Sequence, residues 1–203
     1  MSDGPNQNNN TDYLDDEKMP LLDHLVELRQ RLLFAVAALV VCFFIAFYFA
    51  GPIFNILVAP LADLWQGQTS KRLIYTALHE KFFTDIKIAF FAGSFLAFPI
   101  IANELWKFVA PGLYQQEKRA FLPFLLATPV LFFAGGAFVY YFVLPVAWAF
   151  FAGFEQAAVG GNLAIELEPK VNEYLSLVMR LIFAFGLSFE LPVVLTLLTR
   201  SGL

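Results

Sequence analysis

The sequence predicts an all-α, polytopic membrane protein, and three observations carry that prediction. Hydrophobic residues make up 59% of the chain and charged residues only 15%, against about a quarter charged in soluble proteins, so the solvent is lipid. The apolar residues come in unbroken runs: 120–154 holds no Asp, Glu, Lys, Arg or His, which no water-facing segment of that length tolerates. In lipid the backbone must satisfy itself in helices or closed barrels, and continuous runs rather than short alternating segments select helices.

The formal charge of -4 describes no single face, because the acids gather in the amino-terminal tail and in 155–173. One cysteine, Cys42, lies in an apolar run and excludes an internal disulfide or a multi-cysteine metal site. His24 and His79 have no second ligand at metal-binding spacing. No GxSxG, HExxH or P-loop motif occurs. No cofactor, metal or nucleic-acid partner is therefore expected.

Taken in order, residues 1–18 are Asn-rich and acidic, lack the basic start of a signal peptide, and read as a disordered tail. Residues 19–31 place Leu21, Leu22, Leu25 and Leu28 at helical spacing opposite Asp23, Glu27 and Arg31, an amphipathic surface helix. The first span is 32–50, ended by Gly51 and Pro52. An outer loop, 51–81, contains an apolar piece too short to cross and interrupted by Pro60, expected to be a short helix or strand on the membrane face or capping the bundle. The second span, 82–102, carries Asp85 and Lys87 near its start, where both can snorkel outward. Residues 103–119 form a polar hairpin. The third span, 120–148, exceeds the roughly 20 residues a bilayer needs, so it is expected to tilt, to kink at Pro129 or Gly135-Gly136, or to continue past Pro145. A second outer loop, 149–173, leads to the fourth span, 174–199. Kinks at Pro99, Pro129, Pro145 and Pro192 are expected to bend the helices into a concave wall.

Orientation rests on basic residues. With a cytoplasmic amino terminus, Lys18, Arg29, Arg31, Lys107, Lys118, Arg119 and Arg200 lie inside and Lys71, Arg72, Lys81 and Lys170 outside, seven against four.

Glu190 is the most informative polar residue, since a charged carboxylate deep in an apolar span costs about 2.5–3.5 kcal/mol on insertion scales. It serves either as a polar or proton-accepting group toward a watery cavity, or as a neutral acid bonded to a neighbouring helix. Arg180 lies too far along the same helix to pair with it and is expected to snorkel. Glu27, Arg29 and Glu117 form a second constellation, because the topology puts the start of the first span and the hairpin on one membrane side. Two acids there suit a basic peptide, although Glu27 also has an i, i+4 partner in Arg31.

Several segments together, HLVELRQRLL (24–33), APL (59–61), FFTDIK (82–87), WKFVAPGLYQQEKR (106–119) and FAFGLSFELPVV (183–194), resemble the TatC family, the multispanning core of the twin-arginine protein translocase. The resemblance implies a six-helix fold, of which the sequence to Leu203 accounts for four spans. It further implies a non-enzymatic inner-membrane subunit, within an oligomeric complex, that binds twin-arginine signal peptides at its cytoplasmic face. With single-span TatA- and TatB-type partners it would export folded proteins using the proton gradient. On that resemblance Glu27 and Glu117 are the signal-peptide carboxylates, Arg29 and Phe108 border the same surface, Glu190 is the intramembrane acid, and Pro60 and Asp85 belong to outer-side motifs. The rival readings are a small-solute secondary transporter coupled through Glu190, which calls for an internal repeat that the two halves lack, and a membrane-embedded enzyme, which calls for more polar residues at one depth.

Overall fold

The computed structural model describes residues 9–66, 71–109, 118–156, 163 and 165–200. Their backbone forms α1 (Asn9–Tyr48), α2 (Ala50–Leu64), α3 (Glu80–Val109), α4 (Lys118–Phe138), a π-helical turn (Val139–Val143), α5 (Leu144–Ala152) and α6 (Val171–Arg200). Four stretches are long and apolar enough to cross a bilayer: His24–Tyr48, Glu80–Phe108, Leu125–Ala152 and Val171–Thr196. These are the spans expected from the apolar runs.

The boundaries differ in instructive ways. α1 is one helix from Asn9 onward, so residues 9–18, expected in a disordered tail, are helical, and no break separates the surface segment from the first span. Phe49 (φ -98°, ψ 16°) turns the chain, and Gly51-Pro52 fall in the first turn of α2, where a missing N–H costs nothing. The motif therefore opens a helix as well as closing one. α3 continues past Ala102 to Val109, because no Gly or Pro interrupts it between Pro99 and Pro111; the first part of the expected hairpin is helix.

The long third span changes its hydrogen-bond pairing immediately before Pro145. That proline lacks an N–H and crowds the carbonyl four residues back, at Tyr141. The chain accommodates it by widening to i→i−5 pairing, with the Leu144 N–H bonded to the Val139 carbonyl.

The main core lies at the end of the bundle away from His24, where Leu57 and Leu61 of α2 meet Ile88, Val139, Leu144, Trp148, Leu175 and Val178. α2 thus caps the bundle as a helix, and Pro60 shows how it is fastened. Without its N–H, Pro60 leaves the Ile56 carbonyl without a helical partner, and the Tyr140 hydroxyl donates to that carbonyl at 2.8 Å. The Tyr174 hydroxyl donates to the next one, Leu57, at 3.1 Å.

Between transmembrane helices, packing replaces hydrophobic drive, and two glycines permit it here. A Cβ on Gly93 would stand 2.8 Å from the Phe43 backbone, and one on Gly135 would stand 2.6 Å from the Phe185 carbonyl. The first contact joins α3 to α1, the second α4 to α6. Phe132, fully buried, fills the remaining space by stacking on Phe98 with ring centroids 3.6 Å apart.

At this capped end the connecting loops are tied together. Ile74 pairs with Lys170, and Gln156 with Ile165. Lys71 bonds Glu155 at 2.6 Å, and the same carboxylate accepts the Leu167 N–H at 3.0 Å. Those two donors, Lys71 foremost, hold the Glu155 carboxyl below the ordinary carboxylate range.

Candidate functional site

α1 and α3 run side by side in opposite directions, so the start of the first span meets the end of the second. The Gly93–Phe43 approach sets their separation, and the polar residues of HLVELR and of ELWKF come together at the resulting rim. The Arg31 guanidinium donates from Nε and Nη2 to Glu27 Oε1, at 3.0 and 2.6 Å. Its Nη1 reaches across to Glu104 Oε2 at 3.2 Å, and Lys107 bonds the other oxygen of Glu104 at 2.7 Å. Four alternating charges form a ladder between two helices.

Beside the ladder the Phe108 ring lies flat on His24, centroids 4.3 Å apart and planes at 15°. Both arginine bonds go to one oxygen of Glu27; its Oε2 has no hydrogen bond among the described residues. A carboxylate offers about four lone-pair positions, so Glu27 retains capacity for another cation. Its side chain is 35% exposed, against 11% for Glu104, which marks Glu27 as the reachable acid and Glu104 as the one holding Arg31 in place.

The structure thus brings Glu27 and Phe108 to one rim. It does not bring Arg29 to the ladder: two residues from Glu27, Arg29 lies on another face of α1, exposed. Glu117 lies outside the described residues. Sequence reasoning passed over Glu104, Lys107 and His24, although the i, i+3 spacing of Glu104 and Lys107, on a stretch without Gly or Pro, signalled one helical face.

Deeper on the same half of the bundle, the Trp106 indole donates to Thr128 Oγ1 of α4 at 3.2 Å. Glu190, buried on α6, turns toward Thr128 and the Phe132 backbone, yet its Oε1 has no hydrogen-bond partner among the described residues. A buried polar atom left in that state is costly unless something else meets it.

Pro60 and Asp85 sit at the opposite, capped end. Pro60 frees the carbonyl that Tyr140 takes. Asp85 forms an ion pair with Lys81, whose ammonium also lies 4.8 Å from the centre of the Phe54 ring of α2. Pro60 thereby fastens α2 to the π-helical turn, Asp85 holds the Lys81 that meets α2, and both are remote from the Glu27 rim.

A family model described as Sec-independent protein translocase protein (TatC) matches residues 23–203. The Sec-independent protein translocase protein TatC of Magnetococcus marinus is 51% identical over 187 residues, which is 92% of this chain and 66% of that relative. The protein of that description from Escherichia coli K12 is 39% identical over 189 residues, 93% of this chain and 70% of the relative. The chain spans about two thirds of the length of these curated relatives. Among solved structures, the crystal structure of the twin arginine translocase receptor TatC in DDM is similar with a TM-score of 0.75 at 39% identity, covering 88% of this chain and 76% of that one.

Proposed function

The chain belongs to the TatC family, and from that membership we propose that it is the core subunit of a twin-arginine translocase, receiving twin-arginine signal peptides at the rim formed by α1 and α3. The amino terminus and this rim face the cytoplasm of a bacterial inner membrane. TatA- and TatB-type single-span subunits join it in an oligomeric complex, and the proton gradient, rather than a reaction catalysed by this chain, drives export of folded cargo.

One observation carries the reading: the partly exposed Glu27 carboxylate keeps an oxygen without a partner among the described residues, at a rim bordered by the Phe108–His24 stack. An arginine guanidinium presents a planar donor fork that a carboxylate accepts in parallel bonds, which the lysine ammonium does not reproduce. Aromatic faces add a second, weaker attraction for the same cation. Glu117, nine positions after Phe108, supplies the second carboxylate that a pair of arginines requires. Arg31 keeps Glu27 neutralised while the rim is empty, and an incoming arginine shares or displaces it. Glu190 offers a polar contact within the membrane to a segment inserted beyond the rim.

The test is crosslinking of a photoreactive twin-arginine peptide to the purified chain, beside the twin-lysine version. Glu27→Gln is expected to weaken the twin-arginine peptide about tenfold or more, the scale of a charge-assisted hydrogen bond, and the twin-lysine peptide to bind the parent correspondingly less. Equal crosslinking of both peptides, or full binding by Glu27→Gln, overturns the assignment.

A further inference from the structure

At the capped end, opposite the Glu27 rim, two cavities adjoin and share one wall residue, Lys87. The outer one, about 290 Å³, is polar, lined by Thr76, His79, Glu80, Lys87, Lys170 and Glu173 among others. The inner one, about 550 Å³, runs down the flank between α1, α3 and α6 past Phe43, Phe90 and Phe183. Its lining includes only two charges, Lys87 and Arg180. A polar chamber above an apolar furrow is the shape of an amphiphile, and both volumes suit a bound small molecule.

The charges say which amphiphile. Arg180 is exposed on α6 and takes part in no ion pair among the described residues. It stands nine positions into the span from Val171, about 13 Å by the helical rise, where a lone cation is costly. Lys87 donates to a neutral amide, Asn172 Oδ1, at 2.6 Å, which leaves its charge uncompensated. The acids nearby are already engaged: Glu80 accepts the backbone N–H groups of Thr76, Ala77 and Asn172 and the Thr76 hydroxyl, and Glu173 faces Lys170 at 3.8 Å.

We propose that this paired cavity is a binding site for an acidic phospholipid, its phosphate held by Lys87 and Arg180 and one acyl chain lying in the furrow against Phe43, Phe90 and Phe183. The headgroup occupies the polar chamber beside Lys170. The lipid supplies the anion that two cations in an apolar wall require, and its acyl chain fills the furrow that the described residues leave between α1, α3 and α6. The site lies at the far end of the bundle from Glu27 and is independent of peptide binding there.

The experiment is lipid competition read by native mass spectrometry. The purified chain is equilibrated with equimolar phosphatidylglycerol and phosphatidylcholine, and retained lipids are counted. The parent is expected to retain phosphatidylglycerol several-fold over phosphatidylcholine. Arg180→Gln is expected to reduce that preference about fivefold, the scale of one cation facing an anionic lipid. Ser94→Phe, which narrows the furrow without altering charge, is expected to lower retention of both lipids. Elution of each variant at the parent's position in size-exclusion chromatography confirms that it is folded. Equal retention of the two lipids by the parent, or an unchanged preference in Arg180→Gln, overturns the proposal.

Discussion

Tyr174 and Glu190 lie on the same helix, both buried, and answer opposite questions about polar groups in lipid. The Tyr174 hydroxyl is matched to the Leu57 carbonyl, and Tyr174→Phe removes that bond. It is expected to lower thermal stability by about 1 kcal/mol, the net contribution of one hydrogen bond, measured by unfolding in detergent. Glu190 has an oxygen with no partner among the described residues. Glu190→Leu, close in size and without a polar atom to satisfy, is expected to unfold at an equal or higher temperature than the parent, by a margin of about 1 kcal/mol, while signal-dependent export falls. A variant less stable than the parent would show that Glu190 holds the fold together and would withdraw its functional role. The exceptional cost of that position was legible in the sequence from depth alone. The role of Tyr140 was not, since nothing in a linear pattern says which hydroxyl will find the carbonyl that Pro60 leaves free.

Helix lengths and their points of closest approach decide what the rim can be. Gly93 sits on α3 eleven residues before Glu104, yet it governs the Arg31–Glu104 bond, because any side chain there must push α1 outward from Phe43. Gly93→Leu is expected to separate the two helices, to cost about 1–3 kcal/mol as overpacking does, and to weaken twin-arginine peptide crosslinking with Glu27 itself intact. Crosslinking at the parent level in a folded Gly93→Leu protein would show that the rim does not depend on this contact. Spans were readable as elements because apolar runs of this length have one solution in lipid. Their ends were less so. α3 took in Glu104–Phe108 because helix continues until proline stops it, whatever the polarity of its last turn. The third span widens to a π-helical turn just before Pro145, a local compromise in hydrogen bonding that composition cannot register.

Across the whole molecule the two ends are built differently. The Glu27 end exposes a charge ladder with spare acceptor capacity, whereas the capped end uses Lys71, Glu155, Arg72 and Glu168 to tie its loops to one another. The Lys71–Glu155–Leu167 cluster should make that end sensitive to acid. Because the Glu155 carboxyl is held below its ordinary range by the Lys71 ammonium and the Leu167 N–H, its contribution is complete above the ordinary carboxylate value and is lost as pH falls through the lowered one. Hydrogen exchange at the Leu167 and Ile165 amides is expected to accelerate across that window in the parent, and in Glu155→Gln to be fast already at neutral pH; a parent with no acid-dependent acceleration would contradict the tie. The family motifs made the general plan legible from residues alone, but the pairing of Arg31 with Glu104 joins positions 73 apart in the chain and could be found only in three dimensions. α1 itself has a further consequence. Only 6% of its most apolar window is buried against the other described residues, compared with 33% for α3 and α6, so a nascent chain that has emerged as far as Tyr48 already owns a span apolar enough for the bilayer to hold. The carboxylate at position 27 then has only Arg31 of its own helix for a partner through the synthesis of another sixty residues, and the ladder is completed by Glu104 and Lys107 only when the ribosome has passed Phe108.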